Sequence, residues 1–231
     1  MLLALTLACS PSSDSDSAPA SARLKFDLDN VSAAGALDTS AGPVDIMIAP
    51  GLLVVHLPDF FIFRTGDKLA GTAMERLAED GDPLPLAELV AESSEVIEVV
   101  VLAAQDATTY ENAAMGPGGH ASQLLSMSSD QRVSYVSMFG QSNDVVISTP
   151  PGGVSVLKPD GSLATVPLAL FDAGTERNEE PGVGESQAPR QAAADTGESL
   201  EGTIVRIDGS DVEGWTYPST LDFVSVAASV E

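Results

Sequence analysis

The feature that most constrains the fold of this chain is a series of short apolar runs, rich in Val and Ile, that are separated by Gly, Pro, Asn and Asp. Runs of four to eight residues with this composition are typical of strands, whereas helices need longer segments with a period of 3.6 residues. The runs after residue 94 are EVIEVVVLA, RVSYVSMFG, DVVIST, GGVSVLK, ATVPLALF, GTIVRID and LDFVSVAAS. Because they do not alternate with helical segments, they predict an all-β fold.

The first hundred residues give the same prediction with one helical interruption. LKFDLDNVS, residues 24–32, alternates apolar and polar side chains, a period of two that marks a half-buried strand. Apolar residues recur at helical spacing over residues 74–78 and stop at Gly81, which predicts a short helix, with a second over residues 84–91. Further along, KPDGS at residues 158–162 places Asp-Gly between two apolar runs, which predicts a hairpin turn.

These elements predict one domain over residues 23–231, an antiparallel two-sheet β-sandwich with one or two short helices in insertions. Residues 1–22 form a short apolar stretch that ends at Cys9, followed by a tract rich in Ser, Asp, Ala and Pro. This composition predicts a secretory leader and a disordered tether. Since Ala8 directly precedes Cys9, the leader also resembles a bacterial lipoprotein cleavage site in which Cys9 carries the lipid. Cleavage near residues 18–22 is the alternative.

Charge narrows the range of partners. The chain has 34 acidic and 10 basic residues, a formal charge of −24. This charge excludes nucleic acid as a partner, because binding to phosphate backbones relies on Lys and Arg, and it favours cations. The chain has one cysteine and no later run near the roughly 20 apolar residues that cross a bilayer. We therefore expect an exported protein, extracellular or held in the outer membrane or cell envelope only through a lipid anchor at Cys9.

The two histidines give little support for catalysis. His56 lies in an apolar run and is predicted to be structural, and His120 follows Gly-Pro-Gly-Gly and is predicted to lie in a surface loop. The chain has no Gly-x-Ser-x-Gly motif. A Ser-His-Asp arrangement remains open from sequence alone, and so does a secreted hydrolase with an acidic active-site rim.

Two acidic segments are the stronger candidates for a site. QSND, residues 141–144, joins two predicted strands, and Asp172 closes a third at the start of DAGTERNEEPG. Strand ends of a sandwich converge at one rim, so Asp144 and Asp172 could meet. Calcium takes six to eight oxygen ligands, and such loops supply carboxylates and backbone carbonyls. A hydrated rim without an ion is the alternative.

Four segments carry a resemblance to a known family. IAPGLLVVH, LAEDGDPLPL, SMFGQSND and FDAGTERNEEPG, in that order, resemble the spondin N-terminal domain, particularly its bacterial versions in small secreted proteins and lipoproteins. The resemblance spans most of residues 24–226. It implies a C2-like β-sandwich with a calcium ion at one end and a role in matrix and cell adhesion.

The resemblance also implies ligands. Asp144 and Asp172 match the family's carboxylates. The position of a third carboxylate falls on Leu125 in an ungapped comparison, which cannot ligate, and a shifted comparison moves it toward Asp130.

Glu176 and Asn178 are the local candidates that could complete the metal site. Together these features predict an exported, non-enzymatic binding or adhesion module with a structural calcium ion. Its partner would be a protein or glycan of a cell surface or matrix, which the sequence does not identify. Besides the hydrolase, a passive lipid-anchored envelope component without a ligand is the remaining alternative.

Overall fold

The computed structural model describes residues 18–69, 71–105 and 113–231. Cys9 lies outside these residues, so its lipidation stays a prediction. The helices are α1 Thr72–Asp80 and α2 Leu84–Ala91. The strands are β1 Ser21–Asn30, β2 Ile48–His56, β3 Val96–Leu102, β4 His120–Ser128, β5 Arg132–Phe139, β6 Val145–Ser148, β7 Ala169–Asp172, β8 Val205–Arg206, β9 Asp211–Val212, β10 Trp215–Thr216 and β11 Val224–Val230.

The strands form antiparallel sheets, which confirms the predicted all-β sandwich. One sheet has the order β11-β1-β4, and the larger sheet has the order β3-β2-β5-β6-β7-β8. A small two-stranded sheet pairs β9 with β10. The first strand, β1, lies between β11 and β4, so the start and the end of the described chain pair with each other.

The two large sheets enclose the main core. Side chains on one face of β1, such as Leu24, Phe26 and Leu28, pack against residues of the large sheet such as Tyr135 and Ile147. The other face of β1 carries polar residues, as its period of two predicts. Burial of this one-sided pattern between two sheets is the main force that fixes the sandwich.

A second core covers the outer face of the large sheet. Leu52, Val54 and Val136 of β2 and β5 pack against Met74 and Leu77 of α1. Because both faces of β2 are covered, the sequence of this strand is almost entirely apolar. The two short helices are confirmed, and Gly81 ends α1 in the left-handed conformation with φ 68°. In the described ranges, no helix is long and apolar enough to cross a membrane.

The long chain between β7 and β8 positions the candidate site. Residues 173–204 leave the end of β7 and return to it, held by Gly202 N–H to the Gly174 carbonyl at 2.7 Å and Leu200 N–H to the Thr175 carbonyl at 2.6 Å. Gly174 has φ +71°, and a Cβ there would lie 2.9 Å from the Thr203 nitrogen, so the crossing requires glycine. This long loop is therefore ordered and crosses one rim of the sandwich.

Candidate metal centre

The two acidic segments identified from sequence meet at one rim. Antiparallel pairing places Val145, the first residue of β6, opposite Asp172, the last residue of β7. Ala173 N–H then donates to the Asp144 carbonyl at 3.1 Å, which extends the ladder by one step. The turn before β6 and the loop after β7 therefore leave the sheet together.

Asp144 is the most deeply buried acid of this rim, with no exposed surface. Its Oδ2 accepts hydrogen bonds from Thr175 N–H at 2.7 Å, Glu176 N–H at 3.0 Å and the Thr175 hydroxyl at 3.1 Å. Its Oδ1 is also buried and has no hydrogen-bond partner within the described part of the chain. An unpartnered buried carboxylate oxygen is costly, so one face of Asp144 lacks a positive or donating neighbour.

Asp172 lies beside Asp144 and is held by its own loop. Its Oδ1 accepts from Gly174 N–H and its Oδ2 from the Asn178 amide, both at 2.7 Å. The Asn178 Oδ1 in turn accepts from the buried Tyr217 hydroxyl at 2.6 Å. Asp144, Asp172 and Asn178 thus belong to one site. We call Asp144 and Asp172 the inner pair, and Asn178 is its support.

The carboxylate of Glu176 has hydrogen-bond partners that differ from those of the inner pair. Its Oε1 accepts from Gly197 N–H at 2.9 Å and its Oε2 from the Asn143 amide at 3.3 Å. One oxygen each from Glu79, Glu176 and Asp195 lie within 4.8 Å of one another, and these three acids, which we call the outer triad, could hold a metal ion. Only the backbone N–H of Glu176 reaches the inner pair.

Burial and mutual repulsion disfavour the charged form of the acids in both groups. Burial, together with the charge of Asp172, raises the pKa of Asp144 to about 7. Burial likewise raises the pKa of Glu79 to about 7, and the charges of Glu176 and Asp144 act in the same direction. The pKa values of Asp172 and Glu176 are also raised, chiefly by burial.

Basic side chains do not offset these charges. No Lys or Arg forms an ion pair with the inner pair or the outer triad among the residues that the structure describes. Arg76, on α1 beside Glu79, binds Asp80 at 3.0 Å and Asp82 at 3.1 Å. Clustered, unneutralised carboxylates are suited to a hard cation such as calcium.

The family-derived positions for a third carboxylate do not reach the inner pair. Leu125 is buried in the main core. Asp130 lies in the turn before β5, where its carboxylate accepts from the Ser128 hydroxyl. Because β5 runs from Arg132 to Phe139, Asp130 and Asp144 lie at opposite ends of a strand about 25 Å long.

Neither histidine lies in an accessible catalytic arrangement. His56 Nδ1 donates to the Leu57 carbonyl at 2.7 Å, so its Nε2 accepts from the Ser134 hydroxyl at 2.8 Å. Both side chains are buried, which confirms the structural role predicted for His56. The loop predicted at His120 is wrong. His120 opens β4, opposite Asp29, and its Nδ1 lies 2.7 Å from that carboxylate.

Sequence reasoning missed three residues of this rim, Glu79, Asp195 and Tyr217. The sequence around Gly81 predicts only a helix end, which is correct, but it does not predict that Glu79 lies near Glu176 and Asp195 of the loop after β7. The one available signal was the position of Glu79 next to the apolar Leu77 and Ala78 of α1. Asp195 and Tyr217 carry no local signal, since their roles depend on long-range contacts.

Comparison with known proteins adds no assignment. No protein-family model matches the chain, and no curated protein matches it.

Proposed function

We propose that this protein is an exported, non-enzymatic binding or adhesion module of the spondin N-terminal type, whose acidic rim is stabilised by calcium. The observation that carries the proposal is the buried Asp144 Oδ1, which has no partner among the described residues. It belongs to a carboxylate next to a second buried carboxylate, Asp172. A bound cation would complete this arrangement.

The donor set fits calcium. The N–H groups of Thr175 and Glu176 hold Asp144 Oδ2 in place, and Asp144 and Asp172 would supply carboxylate oxygens to the ion. Hard oxygen donors of this kind, with water filling the remaining positions, are the ligands that calcium prefers. Asn178 would act by orienting Asp172, because its amide donates to the Asp172 Oδ2.

The ion would have a structural role. It would neutralise the charge buried at the strand ends and hold the loop over residues 173–204 against the sheet. A cation that binds only the folded state adds about 2.7 kcal/mol of stability at a hundredfold excess over its Kd. A fixed rim of this kind suits binding to a partner surface, for which the resemblance suggests a protein or glycan of a cell surface or matrix.

A non-enzymatic role is supported by the positions of the nucleophile and base candidates. The His56–Ser134 pair is buried and is oriented by a backbone carbonyl rather than by an acid. General-base catalysis needs a group that can reach a substrate proton. The histidines therefore give no support to the hydrolase alternative.

Thermal unfolding with and without calcium tests this proposal. Metal-free protein should melt at a higher temperature after calcium is added, and Asp172→Asn should remove most of that increase because it removes one charge of the inner pair. Asp59→Asn is the matched control, since Asp59 is exposed in the loop after β2. Equal calcium shifts in wild type and Asp172→Asn would refute the inner site. The absence of any shift in wild type would refute the calcium-stabilised rim.

A further inference from the structure

Both ends of the described chain lie at the end of the sandwich opposite the acidic rim. Ser21, the first residue of β1, pairs with Ser128 at the end of β4, and β5 begins after the turn that follows. Glu231 N–H donates to the Arg23 carbonyl at 3.1 Å, so the C-terminus returns to the same place. Asp144 lies beyond the other end of β5, which is about 25 Å long. We call the end at which β1 begins the entry end, because the chain before residue 18 joins the sandwich there.

We propose that the entry end is a membrane-contacting surface, so that the acidic rim faces away from the bilayer. The contact goes beyond the proposed function and does not require calcium. Only its consequence, that a partner meets the outward-facing rim, rests on the proposed function.

The loop after β2 lies at the entry end. His56, the last residue of β2, pairs with Arg132 at the start of β5 and with Val96 at the start of β3. Phe61 of this loop then packs beside β5. A Cβ at Gly152 would lie 3.1 Å from the Phe61 ring, and the Gly152 carbonyl accepts from the Arg132 guanidinium at 3.0 Å. The aromatic segment FFIF, residues 60–63, is therefore placed where the chain enters the sandwich.

This end carries exposed apolar side chains. Ile97, the second residue of β3, is 48% exposed, and Leu89 of α2 is 51% exposed. Phe61 and Ile62 are half-buried and line one cleft of about 230 Å³ together with Leu89. Apolar and aromatic side chains grouped in this way are suited to the boundary between lipid headgroups and acyl chains.

Basic side chains accompany the apolar ones. The Arg64 guanidinium lies 3.5 Å from the centroid of the Phe61 ring, and the side chain is exposed. A guanidinium stacked on an aromatic ring can reach headgroup phosphates while the ring stays in the interface. Acidic residues such as Asp59 and Asp130 are present here too, so the charge at this end is mixed.

The rim has a different electrostatic character. Residues 173–204 contain seven acidic and two basic residues. The anionic headgroups of a bilayer repel such a segment within a Debye length of about 8–10 Å. Electrostatics therefore favours approach to the bilayer by the entry end.

The predicted lipid site favours the same orientation. Cys9 precedes Ser21 by 12 residues, which span at most about 40 Å when fully extended. The 10 residues of β1 are about 33 Å long. A lipid on Cys9 could therefore bring the rim to the bilayer only if nearly all of this segment ran extended along the sandwich. Contact through the entry end requires none of that length.

The single cysteine and the single tryptophan of the chain provide the test. The full chain is coupled through Cys9 to a maleimide-bearing lipid in vesicles of phosphatidylethanolamine and phosphatidylglycerol. Acyl chains that carry bromine quench the fluorescence of a tryptophan only where it lies close to the bilayer. Trp215 is a probe of the rim, because the residues on either side of it reach the inner pair and its support. The charge of Glu213 acts on the inner pair, and the Tyr217 hydroxyl donates to the support.

Two variants in a Trp215→Phe background form a matched pair of probes. Ile97→Trp places tryptophan at the entry end. Leu221→Trp places it at the opposite end, in the turn before β11, where Val224 pairs with Asn30, the last residue of β1. The emission of Ile97→Trp should fall by about half in brominated vesicles relative to unbrominated ones, because contacting side chains enter the interface by about 5–10 Å. The emission of wild type and of Leu221→Trp should not change.

Each outcome decides part of the proposal. Unchanged emission from Ile97→Trp would refute the contact, and quenching of Trp215 or of Leu221→Trp would refute the orientation. Melting curves identify a misfolded variant, and Leu89→Trp then replaces Ile97→Trp. The measurement is made in chelator and in calcium, and rim quenching in either condition counts against the orientation. Failure of calcium to raise the melting temperature would refute the calcium-stabilised rim without changing the expected quenching, so the two proposals fail separately.

Discussion

The buried charge of Asp144 predicts an unusual pH dependence for the metal-free protein. The pKa of this carboxyl is raised from 3.8 to about 7 in the folded state. Between these values the folded chain keeps a proton that the unfolded chain has lost, so the free energy of unfolding decreases as pH rises. The metal-free protein should therefore be more stable near pH 5 than near pH 8. Asp144→Asn should remove much of this dependence.

The magnitude follows from the shift. Each unit of difference between the folded and unfolded pKa values corresponds to about 1.4 kcal/mol, so a pKa shift from 3.8 to about 7 corresponds to about 4 kcal/mol. About 3 kcal/mol of this stability is lost between pH 5 and pH 8, because about two of the roughly three units of the pKa shift lie above pH 5. At pH 5 the asparagine replaces a protonated, neutral carboxyl, and its side-chain oxygen can still accept from Thr175 and Glu176 N–H. Asp144→Asn should therefore be nearly neutral at pH 5 and stabilising by up to about 3 kcal/mol at pH 8.

Urea denaturation in chelator at pH 5 and pH 8 provides the assay. Asp59→Asn controls for the removal of one negative charge from a chain with a formal charge of −24. If Asp144→Asn destabilises the protein equally at both pH values, the buried-charge explanation is wrong. The same conclusion follows if Asp59→Asn flattens the pH dependence as much as Asp144→Asn does.

Further predictions concern the loop and the support of the inner pair. Calcium should slow tryptic cleavage after Arg190, because an ion at the inner pair would hold the loop over residues 173–204 against the sheet, and Asp172→Asn should remove this protection in a timed digest. Tyr217→Phe should lower the free energy of unfolding by about 1–2 kcal/mol in urea, since it removes the 2.6 Å hydrogen bond to Asn178. Gly174→Ala should cost at least about 1 kcal/mol in the same assay, because φ +71° strains any residue with a Cβ. A Tyr217→Phe protein as stable as wild type would contradict the support assigned to Asn178.

Local patterns predicted most of the sheet structure. The alternation in β1 specifies a strand with one buried face, and the continuous apolar run of β2 specifies a central strand. The meeting of Asp144 and Asp172 was predictable because both residues end strands that could pair. In each case the decisive information lies within a few neighbouring residues.

Competing local signals account for the strands that were misjudged. β4 was missed because Gly-Pro-Gly-Gly before His120 indicates a loop, although Ala121, Leu125 and Met127 behind it face the core. GGVSVLK was predicted to be a strand, but it forms only isolated bridges, Val133 with Val154 and Leu157 with Leu163. β6 already pairs with the free edge of β5 over residues 136–138, which leaves little of that edge for a further strand.

The outer triad could not be predicted because its members are distant in sequence. Glu79 lies on a helix that packs against the large sheet, and Asp195 lies in a loop without periodic pattern. Only the packing of α1 over β5 and β6 brings the end of this helix to the rim. The grouping of Glu176 with the inner pair is likewise an inference from proximity in sequence, and the structure places its carboxylate near Glu79 and Asp195.

The central claim is that the inner pair binds calcium. A crystal structure of protein grown with calcium, with anomalous differences collected at long wavelength, tests it most directly. The claim predicts an anomalous peak at about 2.3–2.6 Å from Asp144 Oδ1 and from an Asp172 carboxylate oxygen. Calcium-saturated crystals with no peak at these two carboxylates would contradict it.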